Sequence, residues 1–264
     1  MFYHITDWDD AYANGPHIPN GDTYPPRWIR NAQAFRDAHP PEALGRGHLF
    51  RPKGTARGLA VFIHGGFWMS FDPSAWSDLA AGPLAEGWAV AMPAYTLAPE
   101  ARIGQMTHEV AAAITAAAKR IDGPIAITGH SAGGHLSARM ICDDGTLPED
   151  VAARVTACVP ISPLSDLRPM LRTAMNDTLH LDKPEALAES PALLTPLTGI
   201  PVTAWVGGAE RPEFIRQARL LADSWAGMGV ATDFVIDPGR HHFDVIAALA
   251  SPDSPLTQRL IGAR

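Results

Sequence analysis

The chain has 264 residues, 46% of them hydrophobic and 19% charged, with a formal charge of −7. That length suits one α/β unit with a large core, and the acidic balance argues against a nucleic-acid or anionic-membrane surface, leaving a small molecule as the expected partner. The two cysteines, Cys142 and Cys158, lie in apolar runs, so buried thiols in a reducing cytoplasm are expected rather than a disulfide or a metal site.

The N-terminus "MFYHITDWDD" lacks a basic start followed by an apolar stretch, and no later segment reaches the length of a bilayer span, so an unexported, soluble protein is expected. Residues 1–45 are rich in Pro, Asn, Gly and aromatics, with a short helix expected over "WIRNAQAFRDAH". They read as an ordered arm, because Trp8, Tyr12, Tyr24 and Trp28 are costly to leave in water.

From residue 46 strands and helices alternate. "GLAVFIHGG", "WAVAMPAY", "PIAITGH", "VTACVPIS", "PVTAWVGG" and "TDFVID" are continuous apolar runs, and an antiparallel pair is expected near "GRGHLFRP". Helices are expected over "SDLAAGPLAEG", "QMTHEVAAAITAAAKRI", "GGHLSARMICDD", "EFIRQARLLADSWAGMG" and "HFDVIAALA". Apolar strands that do not alternate with polar residues belong in a sheet buried on both faces, so the expected fold is doubly wound α/β with a mostly parallel sheet. Residues 163–196 are too long for a simple connection and read as a small helical insertion in a single domain over 1–264.

The chemistry concentrates where these strands end, which is where open parallel sheets bind ligands. "ITGHSAGGHL" carries Gly129, Ser131 and Gly133 in the G-x-S-x-G pattern of a nucleophile elbow. His64, Gly65 and Gly66 follow "GLAVFI", Glu210 follows "PVTAWVGGA", and His241 and His242 follow "TDFVIDPGR". A serine is a poor nucleophile near neutral pH without a base and a carboxylate to orient that base, and Ser131, Glu210 and His242 occur in the chain order used on α/β sheets. Asp237 is the rival acid and His241 the rival base. Amides of Gly65, Gly66 and Ala132 are candidates for an oxyanion hole, and Phe67, Trp68 and Tyr95 are candidates for the substrate pocket. The histidine spacings match no metal-ligand pattern, so neither a metal nor another cofactor is expected. Homo-oligomerisation stays open.

With these residues in place the chain resembles the α/β-hydrolase superfamily, and within it the kynurenine formamidase branch related to the hormone-sensitive-lipase-like esterases. "HGGFWMSFDPSAWSDLA" resembles the family's H-G-G-Y-W segment, with Phe67 in the tyrosine's place. "GHSAGGHL" resembles its elbow, "SDLRPM" and "NDTLHLDKPEALAESP" its insertion, "ERPEFIRQ" its acid segment and "HHFDVI" its histidine segment. The resemblance implies Ser131 as nucleophile, His242 as base, Glu210 in a slot usually held by Asp, and cleavage of N-formylkynurenine to kynurenine and formate. A carboxylesterase acting on short acyl esters needs the same residues and is the alternative, and a non-catalytic protein on the same scaffold is the third reading.

Overall fold

The computed structural model of the chain describes residues 4–262; the first three residues of the expected arm and the last two of the chain lie outside the described residues. Eight strands form one sheet: β1 (Glu42–Leu44), β2 (Gly47–Phe50), β3 (Leu59–Ile63), β4 (Ala89–Met92), β5 (Ile125–His130), β6 (Val155–Ile161), β7 (Val202–Gly207) and β8 (Thr232–Asp237). Their order is β1-β2-β4-β3-β5-β6-β7-β8; β2 pairs antiparallel with β1 and β4, and the rest of the sheet is parallel. The six apolar runs and the antiparallel pair expected from the sequence are all present.

Both faces of the sheet are covered, as the lack of alternation requires. Leu59, Val61 and Ile63 of β3 enter one hydrophobic cluster while Ala60 and Phe62 enter the other, the period of two turning an unbroken apolar run into two core-facing stripes. Burying each such Leu, Ile or Val side chain contributes about 1.5–3 kcal/mol.

The α-helices, in chain order, are α1 (Trp8–Tyr12), α2 (Tyr24–Ala38), α3 (Ala81–Ala85), α4 (Ile103–Ala118), α5 (Ala132–Arg139), α6 (Glu149–Ala152), α7 (Asn176–Leu179), α8 (Lys183–Ala188), α9 (Pro212–Trp225) and α10 (Pro255–Ile261). Two stretches differ from expectation. "SDLAAGPLAEG" is split between a 3-10 helix, Pro73–Ala80, whose start is capped by the Asp72 carboxylate, and the short α3. "HFDVIAALA" forms only a 3-10 turn over Val245–Ala250, and the terminal α-helix is α10, begun by the Ser254 cap and Pro255. The 163–196 segment holds short helical pieces, α7 and α8 among them.

Among the described residues, no helix is long and apolar enough to cross a membrane. Also among them, no group of three or more His, Cys, Asp and Glu side chains is placed to hold a metal.

Candidate active site

The parallel register brings the strand ends to one edge. Ile63 of β3 stands beside Gly129 of β5, His130 beside Ile161 of β6, Ile161 beside Trp205 of β7, and Gly207 beside Asp237 of β8. The next residues along each strand, His64, Ser131, Ser162 and the Gly208–Glu210 turn, therefore leave the sheet together.

Ser131 sits between β5 and α5 at φ 57, ψ −116, a conformation that side-chain-bearing residues rarely adopt. The flanking glycines permit it: a Cβ on Gly129 would come within 2.2 Å of the Gly133 carbonyl oxygen. The Ser131 amide donates to the Ile161 carbonyl at 2.9 Å, tying the turn to β6.

Glu210 is the carboxylate that meets the histidine. His242 Nδ1 donates to Glu210 Oε2 at 2.6 Å, while Glu210 Oε1 accepts from the Ser162 hydroxyl at 2.5 Å and the Gly207 amide at 2.8 Å. With Nδ1 as donor, the neutral imidazole keeps the lone pair of Nε2. The His242 ring lies between Phe214 and His130, with centroids at 4.3 and 4.4 Å. The rival base is directed elsewhere: His241 contacts the Tyr24 hydroxyl through Nε2 at 2.9 Å, and its backbone amide donates to Asp244. Asp237 receives the Gly208 amide on its backbone carbonyl at the end of β8.

Gly65 packs against the elbow so closely that a Cβ would stand 2.7 Å from the His130 carbonyl oxygen and 3.1 Å from Ser131 Cβ. Gly66 follows at φ 114, where a Cβ would lie 2.3 Å from the Ser70 carbonyl oxygen. Ala132 opens α5, so its amide has no partner inside the helix. Gly66 and Ser131 line the same cavity.

His64 supports this loop from behind. Its Nδ1 donates to the Gly65 carbonyl at 2.8 Å, and Tyr95 stacks on its ring at 4.3 Å while donating its hydroxyl to the His64 carbonyl at 3.0 Å. Burial pushes the His64 pKa down to about 4, keeping the ring neutral, and pushes the Tyr95 hydroxyl well up. Burial also holds His130 well below the ordinary histidine range.

Ser131 and His242 share the wall of a cavity of about 390 Å³. Its aromatic surface comes from Tyr12, Trp28, Phe67, Phe71, Trp76 and Phe243, beside the two histidine rings. Of the three pocket candidates, Phe67 lines this cavity; Trp68 and Tyr95 do not. Trp68 is fully buried, edge-on to His135 at 5.2 Å. Tyr95 is taken up by His64.

Two contributions were missed from sequence. The arm supplies Asp9, Tyr12, Asn14 and Trp28 to the cavity wall; its aromatic content signalled order but not location. Ser162, at φ 47, holds the acid, and a serine after an apolar run carries no signal by itself.

A strained serine at a strand end, sharing a cavity wall with a carboxylate-bound histidine, defines a site suited to hydrolysis on a doubly wound sheet. The family model described as alpha/beta hydrolase fold matches residues 60–245, and the chain belongs to that family and is a hydrolase. It is 26% identical over 211 residues to the kynurenine formamidase of Danio rerio, covering 77% of this chain and 71% of that one. It is 28% identical over 217 residues to the kynurenine formamidase of Drosophila melanogaster, covering 76% and 71%. Among solved structures, a Silicibacter sp. TM1040 protein provisionally assigned as a thioesterase is 49% identical, with a TM-score of 0.89 and coverage of 96% of this chain and 98% of that one.

Proposed function

We propose that the protein is a serine hydrolase that cleaves N-formyl-L-kynurenine to L-kynurenine and formate, a cytoplasmic step of tryptophan breakdown, and that residues 1–264 act as one catalytic unit with an arm over 1–45 and an insertion over 163–196. The observation that carries this reading is the 2.6 Å contact between His242 Nδ1 and Glu210 Oε2, in a cavity wall that also contains Ser131.

Ser131 Oγ attacks the formyl carbon as His242 Nε2 takes its proton, and Glu210 stabilises the imidazolium that forms. The carbonyl oxygen becomes an oxyanion, received by amides of Gly65, Gly66 and Ala132; one such donor is worth about 3 kcal/mol in the transition state. The C–N bond then breaks, His242 returns its proton to the departing aryl amine, and a formyl ester remains on Ser131. Water attacks that ester with His242 again as base, formate leaves, and the hydroxyl of Ser131 is restored.

A formyl carbon carries only hydrogen, so the space beyond Ser131 serves the leaving group. The faces of Trp28, Phe67, Phe71, Trp76 and Phe243 suit an aromatic amine, and the kynurenine formamidase names of the relatives support the same class. A second reading, hydrolysis of an ester or thioester with an apolar leaving group, is favoured by the mostly apolar wall and by the thioesterase assignment of the 49% identical structure. The test is kcat/KM for N-formyl-L-kynurenine beside p-nitrophenyl acetate, with Ser131→Ala as the blank for both. Preference for the formamide supports the first reading, and turnover of the ester alone replaces it with the second.

A further inference from the structure

Asn14, between α1 and the 3-10 turn Gly15–His17, has a side chain that the folded protein does not satisfy. The residue is only 6% exposed, and neither Nδ2 nor Oδ1 has a hydrogen-bond partner among the described residues. A buried amide without partners is costly, and native proteins rarely keep one without a use. Asn14 stands in the wall of the cavity that holds Ser131 and His242. It also bounds a second, more polar cavity of about 280 Å³ beside His17, Glu210, Arg211 and His242.

Its carbonyl accepts from the His17 amide at 3.0 Å, and the chain before it is anchored. On one side the Tyr12 hydroxyl donates to Glu213 Oε1 at 2.8 Å and accepts from Gln217 Nε2 at 3.0 Å. Asp10 pairs with Arg211 and with His17. The orphaned amide is thus held at a fixed place, offering a donor and an acceptor next to the reacting residues. Further out, Asp9 is the one acidic side chain lining the same cavity among the described residues, and it is pinned by the Ala174 amide, which donates to Oδ1 at 2.7 Å.

We infer that Asn14 is a specificity-determining residue that hydrogen-bonds a polar side chain on the leaving group, with Asp9 receiving a cationic end of that side chain. The inference rests on the formamidase reading and deepens it: the preferred substrate is an aryl formamide whose ring carries a carbonyl-containing chain ending in an ammonium group. An unsubstituted aryl formamide leaves Asn14 unsatisfied and binds less well.

The experiment compares N-formyl-L-kynurenine with formanilide, in the wild type and in Asn14→Leu, which keeps the volume and removes both hydrogen-bonding atoms. The expected result is a loss of kcat/KM on N-formyl-L-kynurenine about three- to tenfold greater than on formanilide, carried by KM, as loss of one hydrogen bond of ordinary strength predicts. L-Kynurenine binding to Ser131→Ala, followed by tryptophan fluorescence, should weaken by a similar factor when Asn14→Leu is added. Thermal stability should not fall, because no internal bond is removed; should Asn14→Leu fail to fold, Asn14→Ser replaces it with the same comparison. Equal losses on the two formamides, as a water-holding role would produce, overturn the inference and leave the formamidase reading standing. If the wild type cleaves p-nitrophenyl acetate and neither formamide, the reading falls and the inference with it.

Discussion

The hydroxyl of Ser162 donates to Oε1 of Glu210 at 2.5 Å, from a residue held in the left-handed region at φ 47. With the Gly207 amide on the same oxygen, it leaves Oε2 for His242. A glutamate has one more rotatable bond than an aspartate, and these two donors offset the extra freedom. On the proposed assignment, Ser162→Ala lowers kcat on p-nitrophenyl acetate by about tenfold with little change in KM, the size expected for one hydrogen bond to a charged group. Glu210→Gln lowers it by about 10⁴, because the imidazolium loses its counter-charge. Unchanged kcat in Ser162→Ala would show that Gly207 alone orients the acid.

The backbone of Ser131 makes activity and stability oppose each other. Ser131→Ala and Ser131→Gly should both abolish turnover. A non-glycine residue at φ 57, ψ −116 costs about 1–3 kcal/mol, which glycine relieves at an entropic cost of about 0.5–1 kcal/mol. Ser131→Gly should therefore melt about 2 °C above Ser131→Ala. Equal melting temperatures would mean that the turn is unstrained.

Three buried histidines set an acid limit on stability. Burial lowers His64 and His135 to about 4 and His130 well below its ordinary value. His64 Nε2, His130 Nε2 and His135 Nδ1 also lack partners among the described residues. Because the folded pKa values lie below those of the unfolded chain, the unfolded state binds more protons as pH falls below about 6.5. The stabilisation is complete above that pH and is lost progressively toward pH 4. Urea denaturation should give an unfolding free energy lower at pH 5 than at pH 7 by on the order of 5 kcal/mol. An equal value at the two pH values would mean that the rings titrate freely inside the fold.

Tyr12 fastens the arm to α9. Its hydroxyl joins Glu213, fully buried and paired with Arg216 at 2.7 Å, to Gln217. Tyr12→Phe removes that junction and should cost about 1–2 kcal/mol. Because the arm lines the cavity, KM should rise as well, and limited proteolysis should cut near residues 13–22 faster than in the wild type. Unaltered proteolysis would place the hold on the Asp10–Arg211 pair instead.

The fold was legible because its signals are local. An apolar run such as "GLAVFI" can bury both alternating faces only inside a covered sheet, and β3 does so. Where local signals competed, the reading slipped: "HFDVIAALA" has helical composition, yet only a 3-10 turn forms there and the α-helix waits for Ser254 and Pro255. The candidate site was legible in part, since Ser131, Gly65 and His242 sit at strand ends whose positions follow from the strand pattern. Trp68 and Tyr95 show the limit, because an aromatic side chain beside a strand end can face either the cavity or the core.

From the sequence alone came the α/β class, the succession of strands along the chain and the residue types able to perform hydrolysis, all properties of segments a few residues long. Tertiary structure decided the pairings between distant segments. It set Glu210 rather than Asp237 against His242, brought Ser162 from β6 behind the acid, and laid residues 9–28 across the cavity of Ser131. Such contacts join residues as many as 217 positions apart, as Tyr24 and His241 are. Their partners are selected by packing, register and the satisfaction of buried polar groups, which exist only once the chain has closed on itself.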